Sequence, residues 1–189
     1  MGVLLQALLL DLPEALDTAR LALRATRAGA GAQINAALAE SREELRLWMP
    51  WARDPMPVEQ SEEHCRRMQA RWHAREELDF CFYEKACGAL VGKGGLHTID
   101  WSIPKFEIGY WIRTPRTGRG FATEAALGLA EFARAQLGAR RLEITCDARN
   151  AASRRVAEKC GFGLEGIHRA SRRDAQGELA DSCMYARLF

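Results

Sequence analysis

The first clear period along the chain is Arg20-Leu-Ala-Leu-Arg24, where polar and apolar positions alternate as they do in a half-buried strand. Ala36 to Trp48 sets Leu38, Leu45 and Trp48 among Glu and Arg before Pro50, which predicts an amphipathic helix. A second is predicted from Ser61-Glu-Glu to about Glu77, with Ser61 as its N-cap and acidic residues in its first turn. Three strand-like runs follow, Asp79 to Tyr83, Ala89 to Ile99 and Phe106 to Arg113. They are separated by the turn residues Ala86-Cys-Gly88 and Asp100-Trp-Ser-Ile-Pro104, so an antiparallel meander is the economical arrangement. Gly92, Gly94 and Gly95 mark a twist or bulge in its middle strand. Beyond Pro115 the pattern becomes helical, with Ala125, Leu129, Phe132 and Ala133 on one face of Phe121 to Leu137 and Gly138 as the stop. Arg141 to Cys146 then reads as a strand, and Ala151 to Cys160 as a short helix halted by Gly161. A strand, a crossover helix and a strand form a βαβ unit with parallel neighbours. The expected class is therefore α/β (α+β), a mixed central sheet, antiparallel first and parallel later, flanked by helices.

Composition narrows the picture more than it adds to it. No repeat, low-complexity tract or linker divides the 189 residues, so a single domain over 1–189 is expected. With 27 basic residues against 25 acidic ones, the net charge of +2 makes no global case for nucleic acid or a membrane surface. The six cysteines form no C-x-x-C pair and no zinc-like spacing with the four histidines, so no metal is expected, and a reduced, cytoplasmic setting is the simplest reading. The apolar run Val3 to Leu10 is short against the roughly 20 residues of a membrane helix, is cut by Asp11 and lacks a basic flank, so it reads as neither signal peptide nor anchor. Gln6 stands where N-myristoylation wants Ser or Thr. Nothing here selects between a monomer and a homodimer.

The chemistry is concentrated in Gly109 to Glu124. Gly118 and Gly120 lie between a strand and the first turn of a long helix, where backbone N–H groups lack intrahelical partners and the helix dipole is positive. Glycine lets that backbone approach a phosphate closely, and Arg116 and Arg119 can add charge. A Gly-x-Gly of this kind also serves as a plain tight turn. A dinucleotide fold fits poorly, because the third glycine of G-x-G-x-x-G is missing and only one βαβ unit follows.

Thr117-Gly-Arg-Gly-Phe-Ala122 resembles the Q/R-x-x-G-x-G/A loop of the GNAT acyltransferase superfamily, with Thr117 departing from the usual first residue and Arg116 one place early. Downstream, Asn150-Ala-Ala-Ser153-Arg-Arg-Val-Ala-Glu-Lys159-Cys-Gly161-Phe162 is similar to the N-x-x-S-x-x-V-x-x-K-x-G-F stretch of the RimJ/RimL-type branch, which acetylates protein N-termini. With Phe106-Glu-Ile-Gly-Tyr-Trp-Ile112 upstream, the match is ordered over 106–169. The resemblance implies the GNAT fold, a splayed parallel strand pair, and acetyl-CoA as co-substrate with no metal. The pantetheine arm would then pair with the backbone of Trp111, Ile112 and Arg113. The pyrophosphate would lie on Gly118, Arg119, Gly120, Phe121, Ala122 and Thr123, with Arg116 beside it. A backbone N–H near Tyr110 or Trp111 would meet the thioester carbonyl.

Amine acetylation needs a neutral nucleophile and a proton for the departing thiolate. Glu107, on the strand expected to line the cleft, is the candidate base, acting through water; its alternative is an ordinary surface carboxylate. The family's general-acid tyrosine falls on Ala157, so Ser153, one turn earlier on the same helix face, is the candidate acid or a hydrogen-bonding cofactor ligand. Asn150 reads as an N-cap, a pantetheine ligand, or both. His64, His73, His97 and His168 show no partner pattern, and Trp48 and Trp51 are core residues or part of an acceptor cleft. The expected acceptor is an N-terminal α-amino group of a ribosomal or other protein or peptide. A polyamine or drug amine, a non-catalytic acyl-CoA sensor and a structural protein are the alternatives.

Overall fold

Eight strands form one sheet in the computed structural model, which describes residues 6–174 and 176–189. Positions 3–5 of the apolar run at the start lie outside the described residues. In chain order the elements are β1 (Ala15–Asp17), β2 (Leu21–Ala25), α1 (Gly31–Leu45), α2 (Val58–Ala74), β3 (Leu78–Glu84), β4 (Leu90–Asp100) and β5 (Lys105–Ile112). After these come α3 (Phe121–Leu137), β6 (Arg141–Asp147), α4 (Ala151–Lys159), β7 (Gly163–Arg173) and β8 (Leu179–Leu188). The spatial order is β1-β2-β3-β4-β5-β6-β8-β7, and β5 with β6 is the parallel pair.

Side-chain alternation divides the sheet into two faces. Phe80, Phe82, Phe106 and Ile108 point to one face, where Phe121, Leu129 and Phe132 of α3 and Ala157 of α4 join them in a fully buried cluster. Cys81 and Trp111 point to the other, against Ile34 and Ala37 of α1 and Cys65 of α2. The glycines of β4 keep its neighbours close: a Cβ at Gly92, Gly94 or Gly95 would run into backbone of Trp111, Gly109 or Leu78.

The strand pair central to the site separates soon after it forms. β5 pairs β6 only through Lys105↔Arg141, Phe106↔Leu142 and Glu107↔Glu143. From there β6 stays with β8 to Asp147, while β5 stays with β4 to Ile112. A wedge therefore opens between Ile108 and Ile144. Along β5 the Arg113 N–H is bonded to the Val91 carbonyl of β4 (2.8 Å), so the regular alternation turns the N–H groups of Ile112 and Tyr110 into the wedge.

The mixed sheet with its parallel pair is as expected, and beyond β6 it is extended by β8 and β7 as an antiparallel hairpin. β7 escaped the sequence pattern because it is exposed along nearly all its length, so polar and apolar residues need not alternate. One expectation needs correction. Ser61 is not an N-cap: α2 begins at Val58 after Pro57, and Ser61 is buried one turn in, where its hydroxyl accepts from Asn35 Nδ2 (3.0 Å).

Candidate active site

The wedge opens into a cavity of about 390 Å³. Trp111 and Ile112 wall it on the β5 side, Gly118, Gly120, Phe121 and Ala122 at the head of α3, and Asn150 and Ser153 on α4. Gly118 and Gly120 have φ of 74° and 80°, a left-handed backbone that glycine adopts without strain. Gly120 is the N-cap of α3 and its side chain cannot cap, while the first intrahelical bond goes to Glu124 N (3.0 Å). The N–H groups of Phe121, Ala122 and Thr123 thus stand at a positive helix end, which fits a pyrophosphate.

Arg116 and Arg119 hold this loop in place. Arg116 Nη1 and Arg119 Nη2 donate to the two carboxylate oxygens of nearly buried Glu84, at 2.7 and 2.8 Å. On the other flank Arg20 Nε pairs with Glu124 (2.7 Å), and the guanidiniums of Arg20 and Arg119 stack on the Phe121 ring. Arg113 is likewise engaged, with Glu40 and the Leu90 carbonyl, and contributes backbone to the cleft. Arg113, Arg119 and Thr123 stand behind the cavity wall rather than in it. Cations that do face the cavity, with no ion pair among the described residues, are Arg155 and Lys159 of α4, which sequence reasoning did not single out as anion ligands.

Ser153 lies in the wall of this cleft, beside Tyr110. Its N–H is capped by Asn150 Oδ1 (3.0 Å), which fixes the first turn of α4, and its Oγ lies 3.0 Å from the Tyr110 hydroxyl. Burial pushes the Tyr110 phenol well above its ordinary value, so it stays protonated and can donate. Ala157 is fully buried in the core and does not line the cavity.

A second cavity, of about 470 Å³, meets the first at Met49, Tyr110 and Trp111. Its apolar wall is Ile34, Leu38, Trp51 and Met56, and its polar wall includes His64, Asp79, Lys93 and His97. Lys93 Nζ forms a buried ion pair with Asp79 and lies 3.3 Å from His64 Nε2; burial pulls the lysine down to about 8. Glu107 shares this face of the sheet without lining the cavity; its carboxylate accepts from Thr98 Oγ1 (3.2 Å). Trp51 lines the second cavity and Trp48 the first, whereas Trp72 is core. Among the described residues no group of His, Cys, Asp and Glu is arranged to hold a metal, and no helix is long and apolar enough to cross a membrane.

His64 makes a pH prediction. Burial, aided by Lys93 and Arg67, lowers its pKa from 6.5 to about 4. Between those values the unfolded chain binds a proton that the folded chain refuses, so stability is lost as pH falls from about 6.5 to about 4. Chemical denaturation across that range should show a smaller acid loss for His64→Gln than for the parent; equal slopes would refute this titration.

Comparison with known proteins agrees with this geometry. The model of the acetyltransferase (GNAT) domain family matches residues 20–163. A relative in Bacillus subtilis (strain 168), named "Probable N-acetyltransferase YjcK", is 32% identical over 119 residues, 62% of this chain and 66% of that protein. Alignments to such curated relatives span 43% to 66% of their lengths. The fold matches RimL, the ribosomal L7/L12 alpha-N-protein acetyltransferase in complex with coenzyme A, with a TM-score of 0.87 at 21% identity over 93% of this chain and 98% of that one. It also matches MccE, the microcin C7 self immunity acetyltransferase in complex with acetyl-CoA and AMP, with a TM-score of 0.84 at 20% identity over 91% and 94% of the two chains. A glycine-rich loop at a helix head beside a splayed parallel strand pair, within a domain match covering most of the sequence, identifies this chain as a member of the GNAT acetyltransferase family.

Proposed function

We propose that this chain moves the acetyl group of acetyl-CoA onto the α-amino group of a protein or peptide N-terminus. The observation that carries the reading is the meeting of two open cavities at Tyr110 and Trp111, one at the glycine-rich head of α3 and the other largely apolar. Bound acetyl-CoA supplies a thioester: the amine nitrogen forms a bond to its carbonyl carbon, the C–S bond breaks, and CoA leaves as a thiolate. The chain's part is electrostatic and protonic. The Tyr110 N–H, turned into the wedge, is placed to stabilise the oxyanion, whereas the Trp111 N–H lies on the β4 side. The Tyr110–Ser153 hydroxyl pair delivers a proton to the thiolate. The amine gives up its own proton on the Glu107 side of the second cavity.

An α-amino group, with a pKa of about 7.7–8.0, needs far less help than a lysine at about 10.4. That suits a site whose second cavity holds one buried ion pair and two imidazoles rather than a cluster of unpaired carboxylates. The names of the ribosomal N-acetyltransferases it resembles support the same class.

The test is an acceptor screen with mass detection of the acetylated product. Peptides with free N-termini, N-blocked peptides carrying lysine, polyamines and aminoglycosides are each incubated with acetyl-CoA. Acetylation of free α-amino groups is expected. Turnover confined to polyamines or aminoglycosides would replace the acceptor class, and tight acetyl-CoA binding without any transfer would make the chain a sensor.

A further inference from the structure

We propose that His97 is the group that takes the proton from the attacking amine, with Thr98 and Glu107 as positioning residues behind it. This rests on the acetyl-transfer reading above and changes which residue meets the substrate.

The argument begins in the pairing of β4 with β5. The register is regular from Gly92↔Ile112 to His97↔Glu107, which puts His97 and Glu107 side by side on the face of the second cavity. It then breaks before Asp100↔Lys105. In the break Thr98 has φ of 50°, a left-handed conformation that a β-branched residue adopts only under strain. In a regular strand Thr98 would point to the opposite face from His97. Instead the bulge brings its hydroxyl within 3.0 Å of His97 Nδ1 and 3.2 Å of Glu107 Oε2.

The direction of these bonds follows from what each atom can give. The Glu107 carboxylate only accepts, so the Thr98 hydroxyl donates to it and accepts from the His97 Nδ1–H. That bond fixes the tautomer and leaves the lone pair on Nε2. Gly109 then decides where Nε2 lies. A Cβ at Gly109 would stand 2.7 Å from it, so the ring occupies the space a side chain there would fill, next to Tyr110 at the junction of the cavities. His97 lines the cavity and Glu107 does not. As Nε2 takes the proton, the imidazolium that forms is stabilised by the Glu107 carboxylate, 3.9 Å from Nδ1.

The other charged groups around this cavity are Glu77 just before β3, Asp79 on β3, Lys93 on β4, and His64 and Arg67 on α2. Asp79 and Lys93 form a buried ion pair in which burial pulls the lysine down to about 8. Burial holds His64 neutral down to about pH 4, so it does not titrate in the working range.

Two measurements test the assignment. In the first, kcat against pH is recorded with two peptides whose α-amino pKa values differ. The acidic limb should lie at the same pH for both, since it belongs to the enzyme. His97→Gln should lower kcat by roughly 10²- to 10⁴-fold with KM for acetyl-CoA unchanged. The deficit should shrink for an acceptor amine already neutral at the assay pH. Thr98→Gly, which relieves the strain while removing the hydroxyl, should melt no earlier than the parent yet turn over about tenfold more slowly, on the order of 1.4 kcal/mol. In the second, NMR of the His97 ring nitrogens in the free protein reads which of them carries the proton: Nδ1 in the parent, with that preference weakened in Thr98→Gly. A parent active on peptides whose His97→Gln variant keeps at least half its kcat, or whose limb tracks the acceptor's pKa, overturns the role. A proton on Nε2 in the parent, or a tautomer indifferent to Thr98→Gly, overturns the pairing. A parent that acetylates nothing fails at the acetyl-transfer reading instead, while the NMR result still decides the pairing.

Discussion

Ser153→Ala lowers kcat by roughly 10²- to 10⁴-fold and leaves acetyl-CoA affinity nearly unchanged. The expectation comes from where the hydroxyl stands. Ser153 is in the wall of the cofactor cleft, and its Oγ is 3.0 Å from the hydroxyl of Tyr110, a phenol that burial keeps protonated. In the proposed reaction a departing thiolate near this pair takes the serine proton and the tyrosine restores it. The position on α4 onto which the family's tyrosine falls is Ala157, which is buried in the core. The side chain that fixes Ser153 in the helix is Asn150, through its bond to the Ser153 N–H (3.0 Å), and Ser153→Ala leaves that bond intact. The substitution should therefore cost little stability, and a melting curve is the control. Tyr110→Phe should reproduce part of the kinetic loss. If Ser153→Ala turns over within fivefold of the parent, water protonates the thiolate and the hydroxyl pair is only a wall.

Gly120→Val weakens acetyl-CoA binding by about 100-fold or more, equivalent to roughly 2.7 kcal/mol. Gly120 has φ of 80° as the N-cap of α3, a conformation costly to a β-branched residue. An added Cβ would come only into ordinary contact with Arg20 Nη2, 3.4 Å away, so the penalty lies in the backbone. Relieving it rotates the loop away from the helix head and moves the N–H groups proposed to meet the pyrophosphate. Gly120→Asn is the companion, because Asn tolerates the left-handed region far better, and it should lose much less. Calorimetry with acetyl-CoA measures both. Affinity for Gly120→Val equal to the parent would place the pyrophosphate elsewhere.

How much of this was legible beforehand depends on the range over which each feature is determined. Gly118 and Gly120 declare a left-handed turn before a helix within a few residues, and Asn150 three residues before Ser153 declares a cap, so the cofactor loop and the α4 turn could be read directly. β3, β4 and β5 were visible because each buries at least part of both faces and is bounded by turn residues. β7 was not, since an exposed edge strand leaves no apolar alternation to detect.

The arrangement of the chemistry was decided only in three dimensions. Arg116 and Arg119 read as phosphate ligands, and their bonds to Glu84, 32 and 35 residues away, were not legible. Tyr110 and Ser153 lie 43 residues apart and meet because β5 and β6 part after Glu107 and Glu143. His97 looked like any solitary histidine: its tie to Glu107 depends on a strand register, on one bulge that turns Thr98 around, and on the missing side chain of Gly109. Composition, alternation and capping are local properties carried by neighbouring residues, and they determined the elements and the phosphate loop. Register, strand divergence and charge pairing are set by packing between distant segments, and no short window of sequence contains the energies that choose among them.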